Sequence, residues 1–210
     1  MTREPLLARQ PRRPPVPRDG IVDLPRGKIA AIATYLELHA PPPAATSRAP
    51  LPGRLERLRD DVPRYRALYS RIGAPWLWFT RAVLTDAALL AQIRHPDVEA
   101  FVYVEDGVDT ALIEIDMRRA GEGELVFFGL VPEACGRGLG RALLAEAVAR
   151  AFARPIKRLW LHTCTLDHPA AMPLYLRAGF LPYRRAIEIA DDPRLGGYLP
   201  HEAAPNFPIL

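Results

Sequence analysis

Residues 124–141 read ELVFFGLVPEACGRGLGR, and the fold turns on how that stretch is parsed. Leu125, Val126, Phe127, Phe128, Leu130 and Val131 form an apolar, β-favouring run of strand length. Gly129 interrupts it, which marks a bulge or a close backbone approach, and Pro132 ends it. Gly136, Arg137, Gly138, Leu139, Gly140 and Arg141 then make a glycine-rich turn running straight into an amphipathic helix. The first backbone N–H groups of a helix have no internal partner and carry partial positive charge, so they suit an anion. Three glycines let the backbone come close to that anion. The stretch therefore predicts a seat for a phosphate-bearing cofactor; a tight strand-to-helix turn with no ligand is the alternative. The Gly-Lys-Ser/Thr ending of a Walker loop is missing. A dinucleotide fingerprint also fails, because Arg141 or Leu143 stands where its third glycine belongs.

Downstream, Leu139, Leu143, Ala147 and Ala151, flanked by Leu144, Val148 and Phe152, predict a helix over 139–152. A strand follows at 157–164, and strand–helix–strand order implies parallel pairing through a crossover helix. Asp167 or His168 is placed to cap a further helix beginning at Pro169 or Ala170. Gly179 supplies its left-handed end, and Pro173 is expected to distort its first turns. A last strand runs from Leu181 to Ile189. Upstream, Asp106-Gly107 is a hairpin turn between strands at 98–104 and 111–117. The next turn, at 120–123, makes a three-stranded antiparallel meander with the central strand. Thr85 reads as the N-cap of a helix over 86–94. Helices are expected at Leu55–Asp61 and after Pro63, and a first strand at 28–38. Trp76, Trp78 and Phe79 belong to the most aromatic stretch, which either lines an acceptor pocket or packs in the core.

Two of these motifs together resemble the GNAT acetyltransferase superfamily. Cys135 to Gly140 is similar to its pyrophosphate loop, Gln/Arg-x-x-Gly-x-Gly/Ala, with Cys135 in the Gln/Arg position. His168, Ala171, Leu174, Tyr175, Gly179 and Phe180 resemble the signature Asn-x-x-Ala-x-x-Leu-Tyr followed by Gly-Phe, with His168 in place of Asn. The resemblance spans residues 28–190 in element order and is strongest over 124–180. It implies an α/β domain with a mixed, mainly antiparallel sheet flanked by helices, and acetyl-CoA as co-substrate. Leu130, Val131, Gly136, Arg137, Gly138, Leu139, Gly140, Arg141, His168 and Tyr175 would then hold the cofactor. The resemblance also implies an oxyanion site on a backbone N–H near Leu130 or Val131. Transfer to an amine needs a base, oxyanion stabilisation and a proton for the leaving thiolate. Tyr175 matches the tyrosine facing the thioester sulfur, as general acid or as a packing residue. Glu124, eleven positions before Cys135, matches the base of the histone-acetyltransferase branch. It could equally be an exposed strand-end carboxylate, with Glu122, Glu114 and Asp116 as rivals.

The 210 residues allow one domain with extensions, at about 100–200 residues per domain. Residues 26–190 form that domain. Residues 1–25, rich in Pro and Arg, read as a disordered or polyproline-like tail, and 191–210 as a C-terminal tail. No apolar run approaches the roughly 18 residues of a membrane span, and no signal-peptide pattern is read. Two cysteines, Cys135 and Cys164, give no disulfide framework and fit a reducing, cytoplasmic setting. His162 and Cys164 share a strand face but lack further ligands, so no metal is expected. The net charge of +4 is mild. Without interleaved aromatics, the basic tail offers little for nucleic acid. The expected partner is an amine, on a small molecule or a protein, with the chain a monomer or homodimer. A silent acyl-CoA-binding sensor of the same fold is the alternative.

Overall fold

The computed structural model describes residues 19–42 and 51–210. The expectations for residues 1–18 and for the loop at 43–50 lie outside the described residues. Seven strands form one sheet: β1 (Lys28–Leu38), β2 (Arg54–Leu58), β3 (Val98–Glu105), β4 (Val108–Asp116), β5 (Glu122–Leu130), β6 (Arg158–Cys164) and β7 (Leu181–Asp191), in the spatial order β2-β3-β4-β5-β6-β1-β7. Four helices accompany it: α1 (Val62–Gly73), α2 (Asp86–Arg94), α3 (Leu139–Phe152) and α4 (Ala171–Arg177). Every pairing is antiparallel except β5 with β6.

Local sequence rules account for most of these bounds. Thr85 caps α2 by accepting from the Ala88 N–H. Asp61 does the same for α1 through Arg64 N–H, with Pro63 in the first turn. Asp106 and Gly107 both adopt positive φ, as a two-residue hairpin turn requires. One predicted helix is absent. Leu55–Asp61 is not a helix: Arg54–Leu58 is an edge strand paired antiparallel with β3, Leu58 opposite Ala100. The pairing partner, 42 to 50 residues away in sequence, overrides a local pattern too short to sustain a helix.

Alternate residues of β5 face different layers. Phe127 meets the Tyr69 ring of α1, whereas Phe128 meets Tyr175 of α4. Helices α1 and α4 therefore cover opposite faces of the sheet. The central strands β3 and β4 are buried almost throughout, so the main core lies on both sides of them. Gly129 is a close-approach glycine, because a Cβ there would sit 2.4 Å from Ile72 Cγ2 and 2.9 Å from the Trp78 ring. The bulge in β5 lies elsewhere, near Val126, where the register against β4 shifts.

Strand β1 has no sequence signal for its position. It inserts between β6 and β7, running antiparallel to both, so the last strand of the chain never touches β6. The C-terminal tail folds back. Arg194, buried, pairs with Asp192 at 2.6 Å and donates to the Ala203 and Phe207 carbonyls. Leu199, Ala203 and Ala204 thereby pack on Ala31, Leu77 and Leu166 as a second apolar cluster.

Gly129→Ala should destabilise the fold by about 1–3 kcal/mol, since buried Ile72 and Trp78 cannot yield freely. At Gly140 a Cβ would make only ordinary contacts at 3.8 Å. Gly140→Ala should therefore be neutral or stabilising by up to ~1 kcal/mol. Urea unfolding of the two variants reads both.

Candidate functional site

Parallel pairing of β5 with β6 is confined to Glu122–Arg158, Gly123–Leu159 and Glu124–Trp160. Past Glu124 the strands part. A cavity of about 1010 Å³ fills the gap and extends beneath the segment after α1.

The glycine turn borders one end. Gly136 and Gly138 have φ of 79° and 80°, which L side chains avoid, and nothing within 4 Å faces either position. No side chain caps α3. Among the described residues, the N–H groups of residues 136–140 have no backbone acceptor; Arg141 N–H bonds Gly138 O. This donor row at a helix N-terminus fits a pyrophosphate. Gly136, Gly138, Gly140, Arg141, His168 and Tyr175 line the cavity, as does Leu130. Of three other residues expected at the cofactor, Arg137 and Leu139 offer that end only their backbone N–H groups, and Val131 offers neither side chain nor N–H. Arg137 forks onto Glu105 with two 2.8 Å bonds, tying the turn to the end of β3. The Leu139 side chain enters the core. Val131 N–H is spent on Thr110 O at 2.9 Å, so it is not free for an oxyanion. Because antiparallel neighbours alternate, Leu130, opposite Ala111, turns its own N–H away from β4 toward the gap.

Helix α4 starts later than the sequence implied, at Ala171, with Ala170 as an N-cap lacking a side-chain bond. Pro173 thus falls in the first turn, where no intrahelical N–H bond exists to be lost. His168 Nδ1 accepts from Ala170 N–H, and its ring meets Trp76 at 5.1 Å. Asp167 caps no helix. It accepts from Thr163 Oγ1, Cys164 N–H and Trp78 Nε1 at 2.7, 2.8 and 3.0 Å, fastening the aromatic segment to the end of β6. That role was missed; its only sequence signal is an acid just after a strand. Tyr175, buried against Phe128 and Phe180, lines the cavity with no hydrogen bond among the described residues. Burial pushes its hydroxyl pKa well up, so the group stays protonated.

Four carboxylates were rivals for the base, and the packing separates them. Glu114 is fully buried, held by Arg81 Nη2 at 2.6 Å and by the Tyr65 hydroxyl. Asp116 is clamped by Arg118. Glu122 pairs with Arg158 and Arg119. Glu124 alone of the four has no hydrogen bond or ion pair among the described residues, and it lines the cavity. Burial, then the nearby Asp116 and Glu114 charges, raise its pKa to about 7 despite Arg81. Arg81 lies over the Phe127 ring at 4.9 Å. Glu124 and Phe128 are four residues apart, roughly 13 Å along the strand. One cavity thus holds a carboxyl poised near neutrality and, beyond it, a protonated phenol and a free N–H row.

No helix among the described residues is long and apolar enough to cross a membrane, and no group of three or more His, Cys, Asp or Glu is placed among them to hold a metal. His162 instead packs on Tyr35 at 5.4 Å.

The raised pKa makes a stability prediction. Folded Glu124 binds its proton more tightly than the unfolded chain, so stability falls as pH rises from about 4.5 to 7. Glu124→Gln should match the parent near pH 4 and exceed it above pH 7 by up to about 3 kcal/mol, as read by urea unfolding across pH.

Comparison with known proteins places this geometry. The Acetyltransferase (GNAT) family model matches residues 63–180. A mycothiol acetyltransferase of Kineococcus radiotolerans is 33% identical over 170 residues, covering 80% of this chain and 51% of that protein. The chain therefore spans about half the length of that curated relative. A GCN5-related N-acetyltransferase from Sphaerobacter thermophilus superposes with a TM-score of 0.55 at 20% identity, over 77% of this chain and 51% of that one. Another from Kribbella flavida gives 0.52 at 21%, over 81% and 63%. With the family model covering more than half its length and the sheet and helices matching, the chain belongs to the GNAT acetyltransferase family.

Proposed function

We propose that the protein transfers an acetyl group from acetyl-CoA to an amine, by direct attack with both substrates bound. The observation that carries the reading is the parting of β5 from β6 beside the unpaired N–H row of residues 136–140, with Tyr175 and Glu124 on the walls of the same cavity. The N–H groups of Gly136 to Gly140 would hold the pyrophosphate, and the chain that leads from it would enter the gap past Leu130. Bound there, acetyl-CoA supplies an activated acyl carbon on a thiol leaving group.

The residues of this chain do the rest. Glu124, ionised above about pH 7, accepts a proton from the ammonium or the attacking amine. The distance along β5 means that the proton crosses through water or that the acceptor itself reaches back to Glu124. Leu130 N–H is the available donor for the oxyanion, Val131 being engaged. Tyr175 keeps its proton in the apolar setting of Phe128 and Phe180 and delivers it to the departing sulfur. The new C–N bond replaces the C–S bond. From the neutral amine, the proton taken by Glu124 and the proton given by Tyr175 leave amide and free thiol, and proton exchange through solvent returns Glu124 and Tyr175 to their starting states. An ammonium releases one further proton to solvent beforehand. His168 is positioned by the Ala170 N–H that its Nδ1 accepts, just before α4, and lines the cavity.

Acetyl-CoA or CoA at 100 times its dissociation constant should stabilise the protein against unfolding by ~2.7 kcal/mol, whereas ATP should not. With an accepted amine, Tyr175→Phe should lower kcat by about 10²–10⁴ with little change in KM for acetyl-CoA. Glu124→Gln should abolish the rise in rate through about pH 7. Ligand stabilisation that survives in both variants, without turnover in the parent, would instead identify a silent acyl-CoA sensor.

A further inference from the structure

We infer that the protein forms a symmetric dimer in which β7 pairs antiparallel with β7 of a second copy, extending one sheet across both chains. The two edges of the sheet are β2 and β7, and they are finished differently. An edge strand presents unpaired N–H and C=O groups, so edges are commonly kept short or blunted with charge. β2 follows that rule. It has five residues, and Arg54, Glu56 and Arg57 are engaged in ion pairs with one another or with Arg64 and Glu99. β7 runs for eleven residues, pairs on one side only, with β1, and its outer backbone groups have no backbone partner among the described residues. Its apolar side chains are also bare. Ile187 and Ile189 are 60% and 57% exposed, and Ile32, opposite Ile187 on β1, is 48% exposed. Strand alternation puts all three on one face. A contiguous apolar cluster along an open edge marks a contact surface.

The charges on the other face of β7 identify the occupant. Arg184 and Glu188 stand two residues to either side of Ala186, both exposed, and neither has an ion pair among the described residues; Arg184 lies over the Tyr35 ring at 4.5 Å. Opposite signs at equal distance from one residue make a pattern complementary to itself. In an antiparallel pair centred on Ala186, Arg184 faces Glu188 of the second copy, and the twofold axis repeats the contact. Ile187 then lies diagonally across from Ile187 of the second copy, so the two isoleucine clusters meet on the opposite face. Other registers are poorer. Centring on Arg185 sets that arginine against itself, and centring on Ile187 leaves Glu188 facing Ala186. The register shift of β7 against β1 falls at Tyr183, outside the 184–188 segment that carries these contacts.

Analytical ultracentrifugation of the full chain tests the dimer, at about 1–100 μM because its population follows protomer concentration. A species of twice the 23.4 kDa chain mass is expected. Glu188→Arg and Arg184→Glu each set like charges across the axis and should each weaken dimerisation at least ~10-fold. Mixed in equal amounts, the two variants should regain a dissociation constant close to the parent's, since each then meets the opposite sign at both contacts. Ile187→Lys should leave a monomer. All three side chains are exposed, and circular dichroism matching the parent's confirms that each variant is folded. A parent that stays monomeric over the whole range would overturn the inference. So would a dimer indifferent to the charge reversals, or a mixture that associates no better than either variant alone.

Discussion

Parallel strands β5 and β6 pair over three residues and then diverge, and most of what is distinctive in the structure follows from that divergence. Beyond Glu124 the β6-facing edge of β5 has no strand to bond, so a buried N–H such as that of Leu130 must find another partner or stay exposed in a slot. Ordinary folding would close such a gap. Here it is propped open from both sides: Trp78 wedges against Gly129 on the α1 face, and Tyr175 stands against Phe128 on the α4 face. The crossover that joins the two strands is the same helix, α3, whose uncapped N-terminus lies at the mouth of the slot. The anion seat and the opening are therefore consequences of one connection.

Electrostatic commitment does the remaining selection. The cavity region is rich in ionisable groups, yet nearly all are spoken for: Glu114 by Arg81 and Tyr65, Asp116 by Arg118, Asp167 by three donors, Arg137 by Glu105. Burying a paired charge is tolerable, and leaving a lone one is costly. Glu124 meets that cost by holding its proton to near neutral pH, and that same compromise is what the base role proposed for it requires. A site of this kind gives up some stability for function.

The sequence made the central segment legible because its signals are local. The apolar run at 125–131, the glycines at 136, 138 and 140, the Thr85 cap and the Asp106-Gly107 turn each specify backbone geometry within a few residues. Features that depend on distant partners were not readable. Arg54–Leu58 is a strand only because β3 offers an edge, and β1 reaches its place between β6 and β7 by pairing with residues more than a hundred positions away. The same limit applied at the site. Sequence spacing put Glu124 ahead of Glu122, Glu114 and Asp116 without saying what holds those rivals: Glu114 is taken by Arg81 and Tyr65, distant in sequence, and Asp116 by Arg118 two residues on. It also counted Arg137, Leu139 and Val131 among cofactor contacts. Only the three-dimensional pairing shows that Arg137 and Leu139 point their side chains away and that Val131 has already spent its N–H.

Hydrogen exchange tests the role of the opened sheet most directly. Amide exchange of the full chain would be followed with and without free CoA. New protection should appear at Leu130 and across Gly136–Gly140, with Val131 unchanged because its N–H is already bonded within the sheet. CoA that binds while protecting none of these amides, or that protects a different surface, would contradict the account: the gap between β5 and β6 would then be a packing feature and not the place where the cofactor lies.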